Sequence, residues 1–167
     1  FPEFGGGILY DGGCYAVTTS RSLFGTEPSR VVMLVDPDPA HGVDRTISAV
    51  LDFPNGQASF VASQALVYYQ RVQILGTQGR IDIEIPFDST GEKPCKLFLS
   101  DSTFDEGTVV TETVAAVDQY TLQAELFSEA VRNGTPQAVP LENSIKNMRV
   151  IDALFRSAKS GGWETVG

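Results

Sequence analysis

Apolar residues along the chain recur with two different periods, and the switches between them mark out the elements. From Ile8 to Leu23 the pattern predicts a helix, with Ile8, Leu9, Ala16, Val17 and Leu23 as its apolar surface and Gly25 as its stop. Arg30 to Val35 is rich in β-branched residues and predicts a strand, which Asp36-Pro37-Asp38-Pro39 ends. Arg45 to Phe53 alternates, with Ile47, Ala49, Leu51 and Phe53 on one side and Ser48, Val50 and Asp52 on the other. Asn55-Gly56 is a short hairpin signal, because both residue types tolerate positive φ, and Ala58 to Ala62 is the return strand.

A second pair of strands, Gln70 to Leu75 and Arg80 to Ile85, flanks Gly76-Thr77-Gln78-Gly79. Arg80, Asp82 and Glu84 alternate with Ile81, Ile83 and Ile85, which predicts one wet and one buried face. Lys96 to Leu99 and Val109 to Val114 are two further strands with a polar loop between them. Asp118 is placed to cap a helix whose apolar stripe is Leu122, Leu126, Phe127, Ala130 and Val131, and Asn133-Gly134 closes it. After a loop from Thr135 to Pro140, Leu141 to Lys159 reads as another helix, with Ile145, Met148, Ile151, Leu154, Phe155 and Ala158 facing inward. Met148 and the aromatic positions are expected in the core. Trp163 to Val166 predicts one short edge strand.

Strands joined by tight turns give antiparallel pairing, so the sum is an α+β domain: a large, mainly antiparallel open sheet with helices packed on one face. An apolar outer face on such a sheet would call for a partner, and a second copy of the chain is the common solution. The whole chain, residues 1–167, has the size of one domain with a real core.

Composition narrows the partners. The net charge of −9 works against nucleic acid and anionic membranes. No apolar run reaches membrane-spanning length. Cys14 and Cys95 form neither a metal spacing nor a disulfide framework and read as reduced thiols of a cytoplasmic protein. The chain opens on Phe1 rather than Met and reads as a piece of something longer.

Candidate chemistry concentrates near the start, in Gly5-Gly6-Gly7-Ile8-Leu9-Tyr10-Asp11-Gly12-Gly13-Cys14-Tyr15. On a helix Asp11 and Tyr15 share one face, one turn apart. Glycine inside a helix costs about 1 kcal/mol against alanine, so Gly12 and Gly13 predict that another surface, a ligand or a second domain, approaches the backbone there. The bland alternative is a packing helix whose glycines allow close contact. A phenol has a reference pKa near ~10, and a neighbouring cation would lower it enough for proton exchange with an alcohol or carbonyl oxygen. No lysine lies within a helical turn, so that cation has to come from elsewhere. There is no GxGxxG opening a strand–helix unit, no P-loop and no GxSxG elbow. The single histidine, His41, sits in a polar turn and reads as a surface residue.

That opening stretch closely resembles the start of the C-terminal domain of the Gfo/Idh/MocA oxidoreductases. Leu51-Asp52-Phe53-Pro54-Asn55-Gly56, Arg71 to Ile81 and the helix Leu141 to Ser160 match as well, in family order over nearly the whole chain. The resemblance implies a sheet used for dimerisation and an N-terminal Rossmann domain, absent from this chain, that binds NAD or NADP. It implies that Asp11 and Tyr15 line a sugar site together with a lysine from the missing domain. Tyrosine at the second position resembles the branch containing glucose–fructose oxidoreductase, D-xylose dehydrogenase and dihydrodiol dehydrogenase. Relatives with histidine there often carry an acidic residue three positions on, where this chain has Thr18.

The expected function is therefore that of the substrate and oligomerisation domain of an NAD(P)-dependent dehydrogenase acting on a sugar, polyol or related diol. Asp11 and Tyr15 are its site residues, with no cofactor-binding or metal-ligating residue of its own, and the isolated chain is expected to be inactive. The alternative is a non-catalytic module for self-association or ligand binding.

Overall fold

A computed structural model of the chain describes residues 4–89, 91–101, 109–137 and 139–167. Its helices are α1 (Cys14–Phe24), α2 (Gln119–Asn133) and α3 (Leu141–Ser160). Its strands are β1 (Arg30–Pro37), β2 (Asp44–Phe53), β3 (Gly56–Ser63), β4 (Val72–Gly76), β5 (Gly79–Ile83), β6 (Cys95–Asp101), β7 (Val109–Val114) and β8 (Glu164–Thr165). The fold is α+β with antiparallel pairing, and the strands divide into two four-stranded sheets, ordered β3-β2-β1-β8 and β4-β5-β6-β7. The contacts cluster into two compact units, one comprising Phe1–Val67 and Ala138–Gly167, the other Tyr68–Gln137. Most of the polar loop expected before β7 lies outside the described residues.

In the first unit, the inward side of the sheet is the one its alternation predicts. Ile47, Ala49, Leu51 and Phe53 are buried, and opposite them β1 contributes Val31 and Met33. The first helix adds Leu9 and Val17, and α3 adds Val150, Ile151, Ala153 and Leu154. The β2–β3 turn differs from the Asn-Gly expectation. Phe53 pairs with Gly56, so the turn residues are Pro54 and Asn55, and among the described residues no non-glycine residue has a positive φ. Proline fixes φ near −65°, which excludes a turn with positive φ at both central positions. The positive φ falls instead on Gly56, at 156°, where a Cβ would press on the Phe24 ring. That ring stacks on Phe53, with centroids 4.3 Å apart.

The inward face of α3 corrects the predicted stripe. Ile151 and Leu154 are buried as expected, but Ile145 is 56% exposed, Met148 is 42% exposed and Ala158 lies on the surface. The buried row is Asn147, Val150, Ile151, Ala153, Leu154 and Ser157. Its small residues let the helix approach the sheet closely, and its polar members are bonded. The Ser157 hydroxyl donates to the Gly162 carbonyl at 2.6 Å and accepts from the Met33 amide at 3.0 Å. Satisfied polar groups of this kind cost little to bury, so reading the apolar residues alone misplaces the face. Leu23 is likewise exposed, and Phe24 packs in its place.

In the second unit, the charged face of β5 is not uniformly wet. Asp82 is 6% exposed, and Arg80 Nε lies 2.9 Å from its Oδ2. Arg71, on the neighbouring chain segment, extends over Phe98, the residue paired with Asp82 across β6. Long guanidinium side chains lying along a sheet cover a shorter carboxylate. The apolar face carries Ile74, Ile81, Leu99 and Val110 in one cross-strand row. The stripe of α2 forms as a stripe, yet only Ala130 of it is buried among the described residues, while Leu122, Leu126, Phe127 and Val131 are exposed. An amphipathic pattern reports that a helix has an apolar side, not what covers it. The Asp118 cap is present, its side chain accepting from the amides of Tyr120 and Thr121.

The α3 assignment is directly testable by unfolding in denaturant. Ile151→Ala is expected to cost about 2–5 kcal/mol, and Ile145→Ala less than about 1 kcal/mol.

Candidate functional site

The expected helix forms as one continuous run, but its first turn is wide. Leu9–Gly13 is π-helical and passes directly into α1. Such wide turns are uncommon and recur at functional sites. Leu9, Gly13, Val17 and Arg21, at four-residue intervals, form the row that faces inward. Gly13 owes its identity to this row. A Cβ there would lie 2.8 Å from Leu9 Cδ1 and 3.2 Å from Ile47 Cδ1, and one at Gly12 would lie 3.0 Å from Ile8 Cδ1. The surface that comes close to Gly13 is thus the unit's own core, which fits the packing-helix alternative.

Asp44, the first residue of β2, holds the head of this helix. Its Oδ2 accepts from the Leu9 amide at 2.6 Å, and the residue is 7% exposed. A helix start leaves its first amides without partners and carries a partial positive charge, so a buried carboxylate stabilises it twice over. Gly7 makes room for that carboxylate: its φ is +125°, and a Cβ would run into the Asp44 side chain. The Gly5–Gly7 run is therefore no phosphate cradle, because the chain's own anion already fills the place.

The far end of α1 is fixed by a buried guanidinium. Arg21 is 6% exposed and makes a two-pronged pair with Glu27, Nε to Oε2 at 2.7 Å and Nη2 to Oε1 at 2.8 Å. Its Nη1 donates to Asn147 Oδ1 of α3, and Asn147 Nδ2 returns a bond to the Cys14 carbonyl. The Arg21 pairing holds the Glu27 carboxyl below its ordinary range.

On this frame Asp11 and Tyr15 both emerge at the surface, Tyr15 with 54% exposure. Neither is sealed in the core. The Asp11 Oδ2 accepts from Gln64 Nε2 at 3.4 Å. Tyr10 turns toward α3, its ring 5.2 Å from that of Phe155. A cavity of about 180 Å³ lies between the first helix and α3, lined by Tyr10, Cys14, Thr18, Asn143, Asn147 and Met148 among others. It is smaller than the usual ~300–1,000 Å³ of a ligand site, and Asp11 and Tyr15 do not line it. Burial pushes the Cys14 thiol up, with the Asp11 charge adding to the effect, so this cysteine is a poor nucleophile. His41 closes a turn: its amide and its ring both meet Asp38 Oδ1. Among the described residues, no group of three or more His, Cys, Asp or Glu could hold a metal ion.

Residues 1–166 match the oxidoreductase family's C-terminal alpha/beta domain, the Gfo/Idh/MocA group. The chain belongs to this family. It is 44% identical over 166 residues to an uncharacterized oxidoreductase, ORF334, of Rhizobium meliloti, covering 98% of this chain and 50% of that protein. It is 35% identical over 163 residues to a D-xylose 1-dehydrogenase (NADP(+)) of Haloferax volcanii, covering 96% and 48%. Among solved structures, the aldose-aldose oxidoreductase of Caulobacter crescentus, complexed with glycerol, superimposes with a TM-score of 0.79 at 25% identity, over 96% of this chain and 48% of that one. The chain thus spans about half the length of the relatives it matches.

The anchoring of the site is open to measurement. Gly7→Ala should destabilise the protein by at least about 2 kcal/mol, combining backbone strain with displacement of a buried carboxylate. The check is denaturant unfolding, with Gly5→Ala, whose Cβ would meet nothing within 4 Å, as the control for backbone strain alone.

Proposed function

We propose that this chain is the substrate-binding and self-association domain of an NAD(P)-dependent oxidoreductase that moves a hydride between nicotinamide and a carbinol carbon of a sugar, polyol or related diol. The observation that carries the reading is the exposed Asp11–Tyr15 pair on a helix clamped at both ends. Its support from relatives is a D-xylose 1-dehydrogenase at 35% identity.

A nicotinamide cofactor would supply or take the hydride and would be held mainly by a Rossmann domain outside this chain. The chain's own residues act at the substrate oxygen. The Tyr15 hydroxyl exchanges the proton there, helped by a cation from the other domain that favours the phenolate. The Asp11 carboxylate accepts a hydrogen bond from a substrate hydroxyl and fixes its orientation. Self-association uses an apolar sheet face; in the row of Ile74, Ile81, Leu99 and Val110, Val110 is 60% exposed. The free thiols Cys14 and Cys95 fit a cytoplasmic enzyme.

The test is kinetic, in the full-length protein, with D-xylose and other aldoses and polyols offered together with NADP or NAD. Tyr15→Phe is expected to lower kcat by ~10²–10⁴-fold, the usual range for a lost acid–base group. A near-normal rate would remove Tyr15 from the reaction. No turnover across the whole panel would favour the non-catalytic module. The isolated chain is expected to show no turnover and no NADP binding by fluorescence titration, and tight NADP binding by it would overturn the division of labour.

A further inference from the structure

Gln64 sits just beyond β3, and its side-chain amide donates to Asp11 Oδ2 at 3.4 Å. The carboxylate only accepts, so the amide nitrogen has to be the atom that faces it. Two residues adjacent on β2 hold the partners of this contact. Asp44 takes the Leu9 amide, two residues before Asp11, at 2.6 Å. The Arg45 carbonyl takes the Gln64 amide at 3.0 Å. The neighbouring Ser63 is fixed as well, its hydroxyl bonded to Thr46 Oγ1 at 2.6 Å and accepting from the Ala65 amide at 3.0 Å. The helix turn carrying Asp11 and the strand end carrying Gln64 are thus referenced to the same point of the sheet, one by an amide–carboxylate bond and the other by a backbone hydrogen bond.

We infer that Gln64 is a positioning residue for Asp11: it holds Oδ2 and so turns Oδ1 toward the substrate hydroxyl. This rests on the reading of Asp11 as a substrate-orienting carboxylate. An exposed carboxylate on its own samples several rotamers, and a donor on one oxygen restricts which lone pairs meet the substrate. The amide is the right donor for the purpose. It carries no charge, so it orients the carboxylate without offering a rival ion pair, and it leaves the negative charge available to the substrate.

The experiment is a double-mutant cycle in the full-length protein, with Gln64→Leu, Asp11→Ala, which leaves Gln64 no acceptor, and the pair, followed by steady-state kinetics with D-xylose and NADP. Gln64→Leu is expected to lower kcat/KM about tenfold in the wild-type background, the low end for a hydrogen bond to a charged group, and by less than about twofold in the Asp11→Ala background. Gln64→Glu, which keeps the length but removes the donor and adds a like charge, should be at least as impaired as Gln64→Leu. Equal effects of Gln64→Leu in both backgrounds, or no effect in either, would overturn the inference while leaving Asp11 in place. An Asp11→Ala variant with full activity would overturn the reading of Asp11 itself, and this inference with it.

Discussion

The bond from the Leu9 amide to the buried Asp44 carboxylate governs the rest of the site. A carboxylate that is 7% exposed needs strong compensation, and the start of a helix supplies both a free amide and a favourable dipole. Once that contact is made, several features follow. Residue 7 must be glycine, because the carboxylate occupies the space of a side chain and the backbone turns through a positive φ. The helix must begin at a fixed height above β2, because Asp44 is the first residue of that strand. Gly13 must then clear Ile47, which lies on the same strand. The wide first turn is the segment between these two constraints, and Asp11 lies within it.

The clamp at the other end works by a different balance. Arg21 is as buried as Asp44, and removing a guanidinium from water is worthwhile only where its donors are matched. Glu27 and Asn147 match them, and Asn147 carries the network across to the carbonyl of Cys14. A helix held only by apolar contacts can rotate or slide by fractions of a turn. One held by directional bonds at both ends cannot, and that is the requirement for presenting two polar side chains with a defined separation.

Most of the fold is legible in the sequence because period and punctuation agree. The alternation of Ile47, Ala49, Leu51 and Phe53 identifies the buried side of β2 without any tertiary information. The Asp118 cap and the glycines after α1, α2 and α3 mark helix ends by local chemistry alone. What the sequence hides are buried polar groups. Asn147 and Ser157 on α3, Arg21 on α1 and Asp82 on β5 look like surface residues until their partners, up to 133 positions away, are known. Arg21 left one trace, the fourth place in the row Leu9, Gly13, Val17, Arg21. Asp44 left none, since its partner is a backbone amide 35 residues away. Helical spacing puts Asp11 and Tyr15 on one face of the helix, but nothing in that spacing reveals the support beneath them.

Exposure itself places a condition on how such a pair can work. In bulk water two unit charges 4 Å apart interact by only ~1 kcal/mol, whereas near a protein surface the effective figure is ~4 kcal/mol. A carboxylate and a phenol open to solvent therefore discriminate weakly between a substrate hydroxyl and water. Their selectivity rises when a second surface excludes the solvent and fixes the hydroxyl from the other side. The two clamps supply preorganisation, since they hold the pair in place before anything binds; they do not supply burial. A site that is rigid from below and open above gains its strength from what closes over it, and in the proposed enzyme the covering surface is also the one that brings the cofactor and the cation.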